Sequence, residues 1–170
     1  MFEQSPESLS DIEILDILQS MKKDKLDTEA NEIIRNGGKA GRQEAHKQAL
    51  VALSANFEDK FVEAATLALG LNSGQAKKIR YKKDRIRIFK ARGLDYLAMD
   101  GAETAQVLAQ VAQAISREDA IVTEGLHNIF PFWKEGWPMV QFDNAYKILE
   151  EDITLHFHIV LDHLIEYVQK

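Results

Sequence analysis

The sequence predicts an all-α fold, a single compact helical domain of seven to nine helices with an internal helix-turn-helix-like pair. Three observations predict it. The 170 residues include only 3 Pro and 9 Gly, and strong helix formers dominate the rest. Apolar residues recur at three- and four-residue spacing along most of the chain. Serine or aspartate followed three positions later by an acid marks several helix starts. With 45% hydrophobic residues the chain can bury a core, and its length suits one domain spanning residues 1–170. A subdivision at residue 93 would part a basic-stripe half (1–93) from an acidic, aromatic half (94–170).

Ser10 and Glu13 form a capping-box pattern, followed by the stripe Ile14, Leu15, Leu18 and Met21. A second helix is predicted over Thr28–Arg35, ended by Gly37 and Gly38. A third covers 41–55 with Ala45, Ala49, Leu50 and Leu53 inward, and a fourth covers 57–69 with Phe61, Ala64, Ala65 and Ala68 inward. Arg85–Phe89 alternates charged and apolar residues as a strand does, but its helix-like flanks place it in a helix. Asp100 and Glu103 start another helix, with the one-sided face Val107, Leu108, Val111, Ala112 and Ile115. Ser116 with Asp119 starts the next, running to about Ile129. Residues 130–138 (FPFWKEGWP) combine two prolines, a glycine and four large aromatics, a pattern for a structured loop. The last helix runs from Asp143 to about Tyr167 with Leu149, Ile153, Val160 and Leu164 inward.

Cysteine is absent, which excludes a disulfide framework, a thiol nucleophile and thiolate metal ligands. The acidic start MFEQSPESLSD lacks a secretory pattern, and no apolar run is long enough to span a bilayer. A cytoplasmic protein with no membrane partner is the expectation. The motifs of serine hydrolases, phosphate loops and dinucleotide sites are all missing, so no catalytic residue and no cofactor is assigned.

Charge is the most informative feature. The formal net charge is -6, but residues 77 to 92 (KKIRYKKDRIRIFKAR) hold nine basic residues and one acid, a local +8. The remaining 154 residues therefore carry -14. Local fields of this kind steer charged partners irrespective of the net charge. Just before and within this stripe, residues 62–83 follow the plan of a helix-turn-helix. Ala64, Ala65 and Ala68 allow close helix crossing, and Gly70 fits a left-handed turn position. Leu71 plugs the angle between helices, Ser73 offers an N-cap, and Ala76 and Ile79 pack. Lys77, Lys78, Arg80, Lys82 and Lys83 remain for phosphates and bases.

The segment resembles the helix-turn-helix of the nucleoid protein Fis in its small-residue helix, its Gly70-Leu71-Asn72-Ser73-Gly74 turn and its Lys/Arg-rich second helix. The resemblance is confined to these residues, and some 87 more follow Lys83. It implies that Ser73, Gln75, Lys77 and Lys78 face DNA. The leading expectation is thus a DNA-binding regulator, compatible with a homodimer. Ser73 to Lys83 would be its recognition helix, with Arg85, Arg87 and the run to Arg92 as backbone contacts. The same stripe also suits an internal layer of ion pairs with the two acidic blocks of the chain, residues 1–34 and 118–170.

Two further readings stay open. Trp133 and Trp137 with Glu135, Asp143, Glu150, Glu151 and Asp152 form an aromatic and acidic set suited to a basic protein partner. An immunity or antitoxin-type inhibitor of a nuclease toxin has that design. Glu124 and His127, with His156 and His163 on the last helix, are the metal-ligand candidates for an enzyme. Ferritin-like sites need two Glu-x-x-His units, and only one is present.

Overall fold

A computed structural model describes residues 9–117 and 120–170. Among the described residues the protein is all-α. Its eight α-helices are α1 (Asp11–Met21), α2 (Thr28–Gly37), α3 (Arg42–Leu69), α4 (Ser73–Lys78), α5 (Lys82–Lys90), α6 (Ala102–Arg117), α7 (Glu124–Ile129) and α8 (Phe142–Gln169). A 3-10 turn covers Tyr96–Ala98. No described helix is long and apolar enough to cross a membrane.

The chain forms two compact units interleaved along the sequence. The first comprises residues up to Asp24, Glu58–Asp100 and His156–Lys170, and the second Lys25–Phe57 and Gly101–Leu155. Each unit draws on the sequence to both sides of residue 93, and α3 and α8 each supply one stretch to each unit.

In the first unit, α1 begins with the expected capping box. Ser10 Oγ accepts the Glu13 amide at 3.2 Å, and Glu13 Oε1 accepts the Ser10 amide at 3.1 Å. Ile14, Leu18 and Met21 are buried behind it. The C-terminal stretch of α3 buries Phe61, Ala64, Ala65 and Ala68, and the end of α8 buries Phe157, Val160, Leu161 and Leu164. Phe61, Phe89 and Tyr96 pack as an aromatic triad, with centroids 5.8 Å apart from Phe61 to each partner and 5.4 Å between Phe89 and Tyr96. Fully burying a phenylalanine of this kind contributes about 1.5–3 kcal/mol.

In the second unit, α2 ends at Gly38, whose φ of 62° lies in the left-handed region favoured by glycine. α6 buries Val107, Leu108 and Val111 of the expected face, while Ala112 and Ile115 are half-buried. The loop before α8 is structured. Backbone bonds Val122 N to Trp137 O (3.0 Å), Gly136 N to Val122 O (2.7 Å) and Met139 N to Ala120 O (2.8 Å) tie its two limbs together around an isolated bridge between Ile121 and Pro138.

Two expected boundaries are corrected. The predicted helices over 41–55 and 57–69 are one 28-residue helix, α3. Asn56, left between the two predicted helices, lies inside α3; its side-chain Nδ2 donates to Leu26 O at 3.4 Å, and the apolar face continues from Leu53 through Phe57 to Phe61. Ser116 does not start a helix but lies inside α6. The following helix starts at Glu124, capped by Thr123, whose Oγ1 accepts the Leu126 amide at 3.1 Å. Asp119 lies outside the described residues.

Candidate nucleic-acid interface

α3 ends on Gly70, with φ 63°, and the Leu71 amide reaches back to Thr66 O at 3.2 Å. That bond is the signature of a Schellman C-cap, in which a left-handed residue lets the next amide satisfy an orphan carbonyl. Leu71 is buried, as the plug position requires. The N-cap of α4 is Asn72 rather than Ser73. Asn72 Oδ1 accepts the Gln75 amide at 2.8 Å, and Gln75 Oε1 accepts the Asn72 amide at 3.0 Å. Gln75 is thereby committed to the cap, while Ser73 is exposed.

The expected long recognition helix is two helices. α4 has six residues, and Ile79–Tyr81 separate it from α5. A continuous helix would pair Ile79 O with the Lys83 amide. Here Ile79 O takes Arg85 Nε at 2.9 Å instead, and Ile79 itself is fully buried.

Arg85 is a correction to the predicted phosphate contacts. The residue is 5% exposed. Its Nη2 donates to Glu58 Oε1 at 2.8 Å and its Nη1 to the Tyr96 hydroxyl at 3.4 Å, and the guanidinium lies 3.9 Å from the Phe61 ring centroid. The ion pair, the hydrogen bonds and the ring face together replace the water a buried guanidinium loses. Beyond Tyr96 the network continues inward. The Tyr96 oxygen lies 2.9 Å from His156 Nε2, and His156 Nδ1 lies 2.7 Å from Asp100 O. Nδ1 must donate to that carbonyl, which leaves Nε2 to accept from the tyrosine. Burial, and secondarily the Arg85 charge, push His156 below the ordinary histidine range. Burial likewise raises Tyr96.

Around this inward arginine the other cations face solvent. Lys77, Lys78, Arg80, Lys82, Lys83, Arg87 and Lys90 are all exposed, and Arg92 is half-buried. Arg92 donates to Leu69 O and Ile88 O, both at 3.2 Å. Arg80 pairs with the exposed Asp59 at 3.0 Å, and Arg87 pairs with Asp84. Lys77, Lys78, Lys83 and Lys90 have no acidic partner among the described residues. The expected ion-pair layer with the acidic blocks does not form among the described residues: Arg80 and Arg85 pair with Asp59 and Glu58 of α3, Arg87 with Asp84 of the stripe itself, and Arg92 bonds only backbone carbonyls. Sequence reasoning missed Tyr81. It stands between α4 and α5, 67% exposed, with extended backbone.

The other predicted sets do not assemble as expected. Trp133 is buried, its Nε1 donating to Val140 O at 2.7 Å, and its ring packs against Phe130, Phe132 and Phe142. Asp143 is held by Arg42 Nε at 3.0 Å, and hydrogen bonds from Gln43 and Arg42 lower its pKa to about 2. Glu150 accepts from Thr154 at 2.9 Å. Glu135, Trp137, Glu151 and Asp152 remain exposed. The metal candidates form no ligand cluster among the described residues. Both ring nitrogens of the buried His156 have protein partners, and His127 Nδ1 lies 2.7 Å from Trp133 O. Glu124 and His163 are exposed. No protein family, curated protein or solved structure matches the chain, so its function has to be read from its own surface chemistry.

Proposed function

We propose that the protein is a non-enzymatic regulator that binds DNA through the exposed cations of α4 and α5. The observation that carries this reading is the solvent exposure of Lys77, Lys78, Lys82, Lys83 and Lys90 on two successive helices, four of them without an acidic partner. Lysine ammonium groups in this state exchange hydrated counterions for phosphates, and the released counterions drive binding. Arg80 and Arg87 are themselves exposed and add two more charges, paired with the exposed Asp59 and the half-buried Asp84. Such pairs contribute only about 0–1 kcal/mol and yield readily to a phosphate. With α4 so short and Gln75 spent on its cap, backbone contact carries more of the binding than base reading by this helix.

The test is salt-dependent binding. About five phosphate contacts give a slope of log affinity against log salt near -4 to -5. The triple change Lys77→Glu, Lys78→Glu and Arg80→Glu should remove most retention on heparin and DNA columns while leaving the thermal midpoint near that of the parent. Unchanged retention would refute the reading.

The 64% exposure of Trp137 favours a second reading, an immunity-type inhibitor whose exposed Glu135, Glu151 and Asp152 meet a basic nuclease toxin. It predicts that Trp137→Ala abolishes co-purification of such a nuclease from the native strain. Absence of any such partner in the parent pull-down counts against it.

A further inference from the structure

We infer that the nucleic acid taken by the α4–α5 surface is single-stranded, with an unpaired base stacked on the ring of Tyr81 and the flanking phosphates held by the neighbouring lysines. This rests on the DNA-binding reading above and specifies which form of nucleic acid that surface selects. Tyr81 is 67% exposed, whereas Tyr96 and Tyr146 are buried at 2% and 7%. Among the described residues its ring meets no other ring and no cation, and its hydroxyl has no hydrogen-bond partner. Its backbone alone is engaged, the amide to Lys78 O at 2.9 Å and the carbonyl to the Arg85 amide at 2.8 Å. Two hydrogen bonds thus fix the Tyr81 backbone while its side chain is largely open to solvent.

The setting supplies the rest of the chemistry. Arg80 and Lys82 flank Tyr81 in the chain, Lys78 and Lys83 follow on either side, and all four are exposed. An aromatic ring interleaved with cations is the arrangement that binds single strands. Bases stack on the ring whatever their identity, and the backbone follows the positive charge. A paired base in a duplex offers no free face to such a ring, so stacking discriminates between the two forms. The length of α4 argues in the same direction. Six residues rise about 9 Å at 1.5 Å per residue, little more than one and a half turns. Helices that read the major groove present a base-contacting N-terminal turn. Here that turn holds the Asn72–Gln75 capping box.

The experiment is anisotropy titration of the full chain at fixed salt. The probes are labelled oligothymidylate, oligouridylate and a duplex of the same length, with heparin as a polyanion lacking bases. Either single strand should bind at least about fivefold tighter than the duplex, the lower end of what one stacked base supplies. Tyr81→Ala should weaken single-strand binding by about five- to 150-fold, as loss of one stacked base does. Tyr81→Phe should restore it, and Tyr81→Ala should move heparin and duplex binding by less than about twofold, because stacking needs an unpaired base. Equal affinity for thymidylate and uridylate assigns recognition to the base face and the phosphates, which the two strands share. Single-strand affinity unchanged in Tyr81→Ala, or duplex binding as tight as single-strand binding, would overturn the inference and leave polyanion binding standing. Failure of every probe to bind the parent protein would overturn both.

Discussion

The basic surface of α4–α5 and the aromatic loop of residues 120–141 each split like residues between two fates. On α5, Arg85 is buried while Arg87, two positions on, is exposed. In the loop, Trp133 is 3% exposed and Trp137 is 64% exposed. In both regions the buried member has protein partners for its polar atoms. Arg85 has Glu58, Ile79 O and Tyr96, and Trp133 has Val140 O. The regions differ in what burial requires. Indole needs one acceptor, which a loop carbonyl supplies locally. A guanidinium needs a counter-charge, and Glu58 comes from α3, 27 positions away in the chain. A composition-rich segment therefore shows its surface only after the partners of its inward member are known.

The sharpest way to break this comparison is to remove the inward arginine. Arg85→Ala leaves Glu58 without its counter-charge and should lower unfolding stability in urea by about 3–5 kcal/mol. Arg87→Ala should change it by less than about 0.5 kcal/mol. Similar losses at the two positions would mean that burial does not separate them.

The tryptophan pair should show a smaller gap. Trp133→Phe removes the donor to Val140 O and part of a packed ring, an expected loss of about 2 kcal/mol by thermal or urea unfolding. Trp137→Phe should fall within about 0.5 kcal/mol of the parent. A larger effect at Trp137 would assign it a folding role in place of a surface one.

The smallest effect sharpens the network behind Arg85. His156 is neutral in the fold, and burial keeps its folded pKa below the unfolded value near 6.5. As pH falls below that unfolded value, the unfolded chain takes up a proton that the folded chain does not. Stability therefore holds above it and declines at lower pH, until the depressed folded pKa is reached. The slope is at most about 1.4 kcal/mol per pH unit. His156→Gln should flatten this limb in a pH series of urea unfolding curves. An unchanged limb would assign the acid sensitivity to other groups.

Much of the fold was legible because its signals are local. Ser10 and Glu13 cap α1, and Leu149, Ile153, Val160 and Leu164 are buried along α8 as their spacing predicts. The errors arise where a distant group decides. Asn56 reads as a helix boundary until Leu26 O is placed beside it. The junction at Ile79 is invisible because the group that takes its carbonyl, Arg85, shows no local sign of turning inward. Charge marks the stripe but leaves its cations either in solvent or in an internal ion-pair layer, and only the placement of Glu58 and Asp59 separates the buried Arg85 from the exposed lysines. Tyr81 carries no such mark, since a single aromatic has no periodicity and would ordinarily be assigned to a core.

The inward Arg85 also shapes how this surface can change over generations. Arg85, through Glu58 and Ile79 O, anchors the α4–α5 segment together with the buried Ile79, Ile88 and Phe89, so the exposed cations carry little of the fold. Exchanges between lysine, arginine and neutral residues on that outer layer are close to neutral for stability. Affinity for a polyanion can drift up or down by single steps, each tolerated on its own, while a change at Arg85 is purged for misfolding. Among sequences descended from a common ancestor, position 85 should stay fixed as the charges around it turn over.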